Sequence, residues 1–258
     1  MEFHAGNSNY QGDLQEKRYT FKQSRSAFSF GVAYELTDHI NLRGLFMLTT
    51  LHADDKDNAD IALRERNLNF WTNIQELSFT GQYFLFNTSR AKVDPYVSLG
   101  VALFHFNPYT YDKAGQKYYL QPLGTEGQGL AAYPDRKPYA LTQWAIPFGG
   151  GVRIQVNDGF RLGVELGMRR LFTDYLDDVS TSYADLTALL SGRGPKAVEL
   201  AFRTGELHGG TTPYPPAGAK RGSPKFKDWY YTTALTANFR INGREARFGR
   251  TSCPTKIY

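Results

Sequence analysis

The stretch FSFGVAYEL, residues 28–36, decides the fold. Its even-numbered positions carry Phe, Phe, Val, Tyr and Leu, and its odd-numbered positions carry Ser, Gly, Ala and Glu. A strict period of two is the pattern of a β-strand with two different faces. An apolar face opposite a small, polar face is typical of a barrel strand that meets lipid on one side and a narrow interior on the other.

The same alternation recurs along the chain and predicts eight strands. None of them contains a lysine, although a strand face in water normally carries this residue. The turn Asn157-Asp158-Gly159 is a strong hairpin signal, because Asp-Gly favours a tight turn between antiparallel strands. The predicted strands lie at about residues 2–12, 28–36, 40–48, 77–85, 95–106, 146–156, 160–168 and 229–240.

The connections between these strands alternate in length. Long loops are expected at 13–25, 52–72, 107–143 and 173–228, and short turns at 37–39, 87–94 and 157–159. This pattern predicts an all-β fold, an eight-stranded antiparallel transmembrane barrel of the OmpA-like type, with long extracellular loops and both termini in the periplasm. The barrel is expected over 1–240, including an extracellular cap loop at 173–228, and a periplasmic C-terminal tail over 241–258.

The cap loop is predicted to be partly helical. Residues 183–190 have apolar side chains at helical spacing and stop before Gly192. Pro195 opens a second helical stretch that ends at Gly205, because proline is favoured at the first position of a helix and glycine after its end. We therefore expect a folded cover over the outer mouth of the barrel.

The composition limits the class of protein. The 258 residues carry a formal net charge of +5 and contain no apolar run long enough for a membrane-spanning helix. No nucleic-acid recognition motif accompanies this modest charge. The start Met1-Glu2-Phe3-His4 has no basic and apolar leader, so we expect the mature form of an exported protein. A soluble lipocalin-like barrel is the alternative interpretation.

Aromatic residues near the strand ends are expected to form an interfacial girdle on the long-loop side. These are Tyr10, Phe70, Trp71, Tyr109, Tyr111, Trp144, Trp229 and Tyr230. Charged residues on the small parity of the strands are expected inside the barrel, where buried charges must pair, and eight strands favour a plugged core over a conducting pore. These are Glu35, Arg43, Glu76, Arg153, Arg161, Glu165, Arg169 and Arg240.

Acidic loop residues are the candidates for metal binding. A group after the seventh strand should pair with basic residues ahead of the eighth, with cation binding as the alternative. The two sets are Asp174, Asp177 and Asp178, and Lys220, Arg221, Lys225 and Lys227. The run DDKDNAD, residues 54–60, lacks the glycine and closing glutamate of an EF-hand and is interpreted as a solvated loop.

Catalytic signals are weak. His52 beside Asp54 and Asp55 is the best candidate, and no serine elbow or zinc-ligand spacing accompanies it. The five histidines are scattered over strands and loops. We therefore predict that the protein is not an enzyme and holds no cofactor.

The tail carries the predicted partner-binding residues. Cys253 is the only cysteine, so it cannot form an internal disulfide, and in an oxidising periplasm it is either unreactive or bonded to a partner. Nearby basic charge favours its thiolate form. The expected contacts are Cys253, Arg244, Arg247, Arg250 and Lys256.

Several blocks of sequence carry a family resemblance. The more specific are FTDYLDDVST at 172–181 and RGSPK at 221–225 with the following DWY at 228–230; the others are 6–14, 73–77 and 94–96. In these blocks the chain resembles the PorG-like outer-membrane proteins of the type IX secretion system, over nearly its whole length. The resemblance implies an outer-membrane barrel that fastens a periplasmic ring of the lipoprotein PorK and its partner PorN to the membrane. It implies no catalysis.

Three other functions stay open from the sequence. A surface-exposed receptor would use the long loops, and a structural OmpA-like barrel would have no part in secretion. An outer-membrane enzyme would need His52 and two carboxylates within hydrogen-bond reach at the barrel rim.

Overall fold

The computed structural model describes residues 1–15, 20, 22–86, 91–225 and 227–241. Eight long strands form an antiparallel barrel in which each strand pairs with the next along the chain. The last strand returns to the first, with Glu2 opposite Asn238 and Gln11 opposite Trp229, so the sheet closes on itself. The barrel strands are β1 (Glu2–Gln11), β2 (Arg25–Glu35), β3 (Ile40–Asp54), β4 (Asn69–Phe84), β5 (Val93–His105), β8 (Thr142–Asn157), β9 (Phe160–Leu171) and β10 (Trp229–Phe239).

The predicted eight-stranded antiparallel barrel is confirmed. The short turns at 36–39 and 158–159 lie at one end, which we call the turn end, and the long loops lie at the opposite loop end. The Asp158-Gly159 hairpin joins β8 to β9 as expected, with Asn157 opposite Phe160. Among the described residues no helix combines the length and apolarity needed to cross a membrane.

The outer surface of the barrel is apolar, as the alternation predicts. On β2, Phe28 exposes 60% of its surface and Tyr34 exposes 68%, whereas Ala27 on the opposite parity is buried. The same parity places Phe79, Leu99 and other large apolar side chains outward on the neighbouring strands. A soluble barrel would present polar side chains here, so this surface is that of a barrel surrounded by hydrocarbon.

Several strands are longer than predicted, and β3 and β4 show this best. They contain 15 and 16 residues, whereas about 9–11 residues cross a bilayer. Their pairing continues to Asp54 opposite Asn69, so the expected loop at 52–72 shrinks to 55–68. The barrel wall therefore extends past its apolar belt at the loop end.

The predicted aromatic girdle is wrong for half of its members. Trp144 and Tyr111 are exposed and Trp71 and Trp229 are partly exposed, but the others are buried. For Tyr10, Phe70 and Tyr230 the physical reason is strand parity, because these side chains share the inward face of their strands and close the upper part of the barrel, whereas Tyr109 is buried in the loop after β5. The buried members are Tyr10, Phe70, Tyr109 and Tyr230.

The loops at 55–68, 106–141 and 172–228 fold over the loop end, and we call them together the cap. They contain the hairpin β6 (Tyr109–Tyr111) and β7 (Lys117–Tyr119), and the helices α1 (Ile61–Arg66), α2 (Leu186–Arg193) and α3 (Pro195–Ala201). The start of α3 at Pro195 agrees with the sequence expectation. Helix α2 begins later than expected because Asp185 caps it by accepting the N–H of Ala188.

One apolar core joins the barrel to the cap. Tyr10, Phe70 and Phe104 from the strands pack in the same cluster as Leu176 and Leu200 from the cap. A smaller cluster lies under α2 and α3 around Leu189 and Ala197. The cap is therefore fixed to the barrel by shared packing.

Candidate functional site

The middle of the barrel interior is filled by ion pairs. Arg43 donates to both carboxylate oxygens of Glu165, at 2.5 and 3.1 Å. Tyr96 donates its hydroxyl to the same carboxylate. All three side chains come from facing strands and are buried. The predicted pairing of interior charges is confirmed here, because two donors and a phenol satisfy a buried carboxylate.

A second ion pair lies nearer the loop end. Arg169 binds Glu76 with Nε at 3.2 Å from Oε2, and Arg169 Nη1 donates to Thr232 at 2.6 Å. Tyr230 donates its hydroxyl to Glu76. Glu76 has no exposed surface. Together with the Arg43 layer, this layer gives the plugged interior expected for eight strands.

The turn end is more open. Glu35 accepts from Arg161 at 2.9 Å and from Arg240 at 3.3 Å, and these side chains are partly exposed at the rim. The mouth encloses a cavity of about 700 Å³. Arg153 lies in its wall, 3% exposed, with its guanidinium 3.8 Å from the ring centre of Phe84. This mouth differs from the sealed layers above it.

Glu126 is the centre of the cap, and it has no exposed surface. Its carboxylate accepts the N–H of Ser180 at 3.0 Å, the N–H of Thr181 at 3.0 and 3.1 Å, and the hydroxyl of Thr181 at 2.7 Å. Arg221 Nη1 donates to it at 3.0 Å. One buried carboxylate therefore joins the loop after β5 to two distant parts of the loop after β9.

Sequence reasoning missed Glu126. Its signal is the run GTEGQG at 124–129, in which Gly124, Gly127 and Gly129 have positive φ values of 54°, 85° and 73°. Glycines that adopt left-handed conformations on both sides of one glutamate indicate a tight loop that holds a carboxylate in place. Its partners are more than 50 residues away along the chain, so the pairing itself has no local pattern.

Arg221 behaves as predicted in part. It pairs with Asp178, with Nη2 3.9 Å from Oδ2, and donates Nη1 to the Asp178 carbonyl at 2.6 Å. Its shorter ion pair is with Glu126. Arg221 therefore takes part in the predicted attachment of the largest loop to the rim.

Tyr10 connects the cap to the barrel. Its hydroxyl lies 2.6 Å from Asp177 Oδ2 and 3.1 Å from Asp228 Oδ1. Burial raises the pKa of Asp177 and of Asp228 well above the usual range. The nearby charge of Asp13 raises the pKa of Asp177 further, and the charge of Asp177 raises the pKa of Asp228 further. A phenol has one proton to donate, so a neutral carboxyl is the arrangement that satisfies both contacts.

Asp13, in the loop after β1, and two further aspartates of the cap share this behaviour. Burial raises the pKa of Asp13 and of Asp178 to about 6 and that of Asp174 to about 7. Asp178 accepts from Thr125 at 2.5 Å and from Tyr139 at 2.7 Å. Asp174 accepts from Ser180 at 2.8 Å. These carboxyls act as buried hydrogen-bond partners that are easily protonated.

The weak metal candidates are accounted for by protein contacts. Asp174 accepts a hydrogen bond from Ser180, and Asp177 accepts one from Tyr10. Asp178 accepts from both Thr125 and Tyr139. Within the ranges that the structure describes, no cluster of three or more His, Cys, Asp or Glu side chains is arranged to hold a metal ion.

The run at 54–60 is not a solvated loop throughout, contrary to expectation. Asp55 is fully buried and receives both Nε and Nη2 of Arg66 at 2.7 Å. Asp54 binds Lys56 at 2.6 Å. The reason is that β3 and β4 continue to Asp54 and Asn69, so the loop between them is short and its helix α1 brings Arg66 onto Asp55.

His52, the catalytic candidate, is buried at the loop end, on the outward parity of β3. Its Nδ1 lies 2.7 Å from the carbonyl oxygen of Phe70, and its ring stacks on Trp71 at 3.7 Å between centres. No hydrogen bond joins His52 to a carboxylate among the described side chains. The structure does not bring together the cluster that an enzyme at this rim would need.

The predicted partner-binding residues lie outside the described residues. These are Cys253, Arg244, Arg247, Arg250 and Lys256. Their role, the intermolecular disulfide and the boundary of the tail at 241 stay predictions.

Solved structures similar to the chain include three bacterial barrels. Neisserial surface protein A is 9% identical, with a TM-score of 0.45, and the comparison covers 93% of this chain and 95% of that chain. Ail of Yersinia pestis, solved with sucrose octasulfate, is 9% identical with a TM-score of 0.42 over 92% and 94% of the two chains. Outer Membrane Protein W of E. coli is 14% identical with a TM-score of 0.33 over 92% and 97%.

The sequence comparisons give the family. No curated protein matches the chain. Residues 1–193, well over half of the sequence, match the family described as a domain of unknown function, DUF6089. The chain therefore belongs to the DUF6089 family.

Proposed function

We propose that this protein is an outer-membrane β-barrel that works as a fixed structural anchor. The observation that carries the proposal is a closed barrel with an apolar outer wall and an interior filled by the Arg43–Glu165 and Arg169–Glu76 layers. An apolar wall holds the barrel in hydrocarbon. A filled interior leaves no path for solutes, so the work of the protein is done by its two ends.

The anchor is proposed to hold the periplasmic lipoprotein ring of type IX secretion, PorK with PorN. The support is the sequence resemblance. The stretches of sequence that carry it most specifically also supply buried residues of the cap and of the barrel interior. Residues 172–181 and 221–225 supply Asp177, Asp178 and Arg221, and residues 228–230 supply Asp228 and Tyr230. The resemblance therefore follows residues that build the cap, its base and the barrel interior.

The orientation is part of the proposal. The turn end, where Met1 and Phe239 meet, faces the periplasm, and the cap faces the outside. Short turns leave the rim open to a large partner, whereas the cap covers the other end. The predicted tail, 241–258, begins at the turn end, where Ile241 lines the mouth, and is proposed to add contacts, including a bond through Cys253.

Affinity capture from gently solubilised outer membranes tests this function. Proteins that co-purify are identified for the wild type, for a variant lacking 185–215 and for a variant lacking 242–258. The anchor hypothesis expects the variant lacking 185–215 to capture as much of the periplasmic ring as the wild type does. It expects the variant lacking 242–258 to capture less. Capture of no periplasmic protein by the intact chain contradicts it.

A surface receptor is the second candidate, and one observation favours it. A cavity of about 760 Å³ opens at the loop end between α1, Tyr183 and the segment 220–223. Its wall carries Arg66 and Lys227 beside Asp13 and Asp60, which suits a mixed polar ligand. A receptor should lose its ligand when 185–215 is deleted, whereas an anchor keeps its partner. We propose no catalytic step for either function.

A further inference from the structure

The cavity at the turn end carries a binding site of its own. Its volume is about 700 Å³, and we call it the turn-end mouth. Its polar lining includes Glu2, Glu35, Asn41, Arg153, Arg161 and Arg240. A volume of this size accepts one or two side chains and excludes a folded domain.

Arg153 is the unusual member of this lining. It is 3% exposed, yet its Nε and Nη2 have no hydrogen-bond partner. The nearest carboxylate is Asp94, with Oδ2 3.6 Å from Nη2, which is beyond hydrogen-bond distance. Leaving guanidinium donors unmet in a buried position costs free energy that a bound acceptor would recover.

The other interior arginines show what a completed site looks like. Arg43 meets Glu165 with two nitrogens, and Arg169 meets Glu76 with Nε and Nη2. Both pairs lie deeper in the same barrel. Arg153 is held against the ring of Phe84 in a similarly fixed position, but its ion pair with Asp94, at 3.6 Å, is too long for a hydrogen bond.

Three acidic side chains, Glu2, Glu35 and Asp158, line the mouth, and the first two are engaged by other arginines. Glu2 lies 3.8 Å from Arg43, and Glu35 lies between Arg161 and Arg240. Asn41 adds an unpartnered Oδ1 to the same cavity. The mouth thus offers an unmet guanidinium fork, two rim arginines that share one glutamate, and an amide oxygen that can accept from an incoming N–H group.

We propose that the turn-end mouth binds a carboxylate side chain from an acidic segment of a protein partner, with Arg153 as its buried anchor. A planar guanidinium matches a carboxylate in two parallel hydrogen bonds, and the amide oxygen of Asn41 accepts from the partner backbone. This inference deepens the proposed function, because it rests on the turn end facing the periplasmic ring.

The binding test uses the purified barrel in lipid nanodiscs and capped peptides as probes. A tetraglutamate peptide is titrated by calorimetry beside a tetraglutamine peptide of equal length. Tetraglutamate should bind at least tenfold more tightly, and its affinity should fall as salt rises because the contact is between charges. Equal affinity for the two peptides would overturn the proposal.

Variants assign the contact to Arg153. Arg153→Gln should lower tetraglutamate affinity at least tenfold, and Arg153→Lys should lower it too, since an ammonium cannot form the two parallel bonds. Arg25→Gln is the matched control, because Arg25 lies at the loop end over the ring of Trp71. A peptide affinity that is unchanged in Arg153→Gln would sink the assignment.

Folding of the Arg153 variants is checked by their heat-dependent shift on gels. Should Arg153→Gln fail to fold, Arg161→Gln at the rim and the peptide-induced rise in wild-type melting temperature decide the question. Tetraglutamate should raise the wild-type melting temperature and bind Arg161→Gln several-fold more weakly. No rise in the wild type together with unchanged Arg161→Gln binding would overturn the inference.

Capture from membranes separates this inference from the proposed function. Peptide binding without any captured periplasmic protein would leave the site standing and remove the anchor function. A ring captured equally by wild type and Arg153→Gln, with no peptide bound, would remove the site and leave the anchor function standing.

Discussion

Glu126 holds the cap together as a single residue. Its two oxygens accept from Ser180, Thr181 and Arg221, and the side chain is fully buried. Glu126→Gln would place an amide NH₂ among these donors and leave Arg221 with Asp178 alone. We expect the cap to lose about 3–5 kcal/mol, the range for breaking a buried ion pair. Hydrogen exchange of residues 172–228 measures the loss.

The control for this change is Glu65→Gln. Glu65 pairs with His208 at 2.6 Å, but both side chains are about half exposed. An exposed ion pair contributes about 1 kcal/mol or less. An effect of Glu126→Gln no larger than that of Glu65→Gln would contradict the role of Glu126.

Gly12 is a second residue on which the cap depends. A methyl group at this position would overlap Tyr10 Oη and Asp228 Oδ1, the contact that ties the cap to β1. Gly12→Ala should destabilise the protein by about 1–3 kcal/mol, the usual range for overpacking. Gly81→Ala is the control, because the nearest atom to its methyl group would be 3.9 Å away. Unfolding midpoints of the two variants measure the difference.

At the scale of the element, the cap should become less stable as pH rises. Asp13 and Asp178 have pKa values of about 6 and Asp174 of about 7, all raised by burial from a usual value near 3.8. A folded cap therefore keeps protons that the unfolded chain releases. The contribution of these three groups to stability is fully present below about pH 4, decreases as pH rises, and is lost once pH passes their folded pKa values of about 6 to 7.

Limited proteolysis measures this pH dependence. The cap loop should be cleaved more slowly at pH 5 than at pH 8 by a protease active at both values, and amide exchange in the barrel strands supplies the internal reference. Asp178→Asn should flatten part of the dependence, because it removes one titrating group. Faster cleavage of the cap at pH 5 would contradict the assigned direction.

The elements differ in how far the sequence could predict them. The parity of β2 follows from neighbouring residues, so the outward Phe28 and Tyr34 were predictable. The start of α3 at Pro195 is also a local signal. The upper ends of β3 and β4 depend on pairing across the barrel, and no local pattern marks where the lipid belt stops.

The same distinction explains the errors at the site. Tyr10 and Tyr230 were placed in a girdle because an aromatic residue near a strand end gives the same sequence signal whether its side chain faces lipid or the core. Arg221 and the aspartates at 174–178 were recognised as a group. Glu126 was missed because its partners arrive from distant loops. Arg153 pairs with Asp94, but only at 3.6 Å, and its Nε and Nη2 make no hydrogen bond.

At the scale of the whole molecule, the filled interior predicts that the barrel does not conduct ions. Arg43 with Glu165, and Arg169 with Glu76, occupy the lumen at two levels. Planar bilayer recordings of the wild type should show no stepwise currents. Replacing Arg43 and Arg169 together by Ala should permit irregular leakage, since both layers lose their cation. Regular current steps in the wild type would contradict the plugged interior.

The pairing of β1 with β10 also governs how such a molecule is assembled. Until residues 229–239 are in place, the half-built sheet has two open edges that can pair with a neighbouring chain. The same short segment and the residue before it bring Tyr230 to Glu76 and Asp228 to Tyr10. Closure of the sheet therefore finishes together with filling of the lumen and attachment of the cap, in one cooperative event. A cell contains either the incomplete sheet or the completed protein.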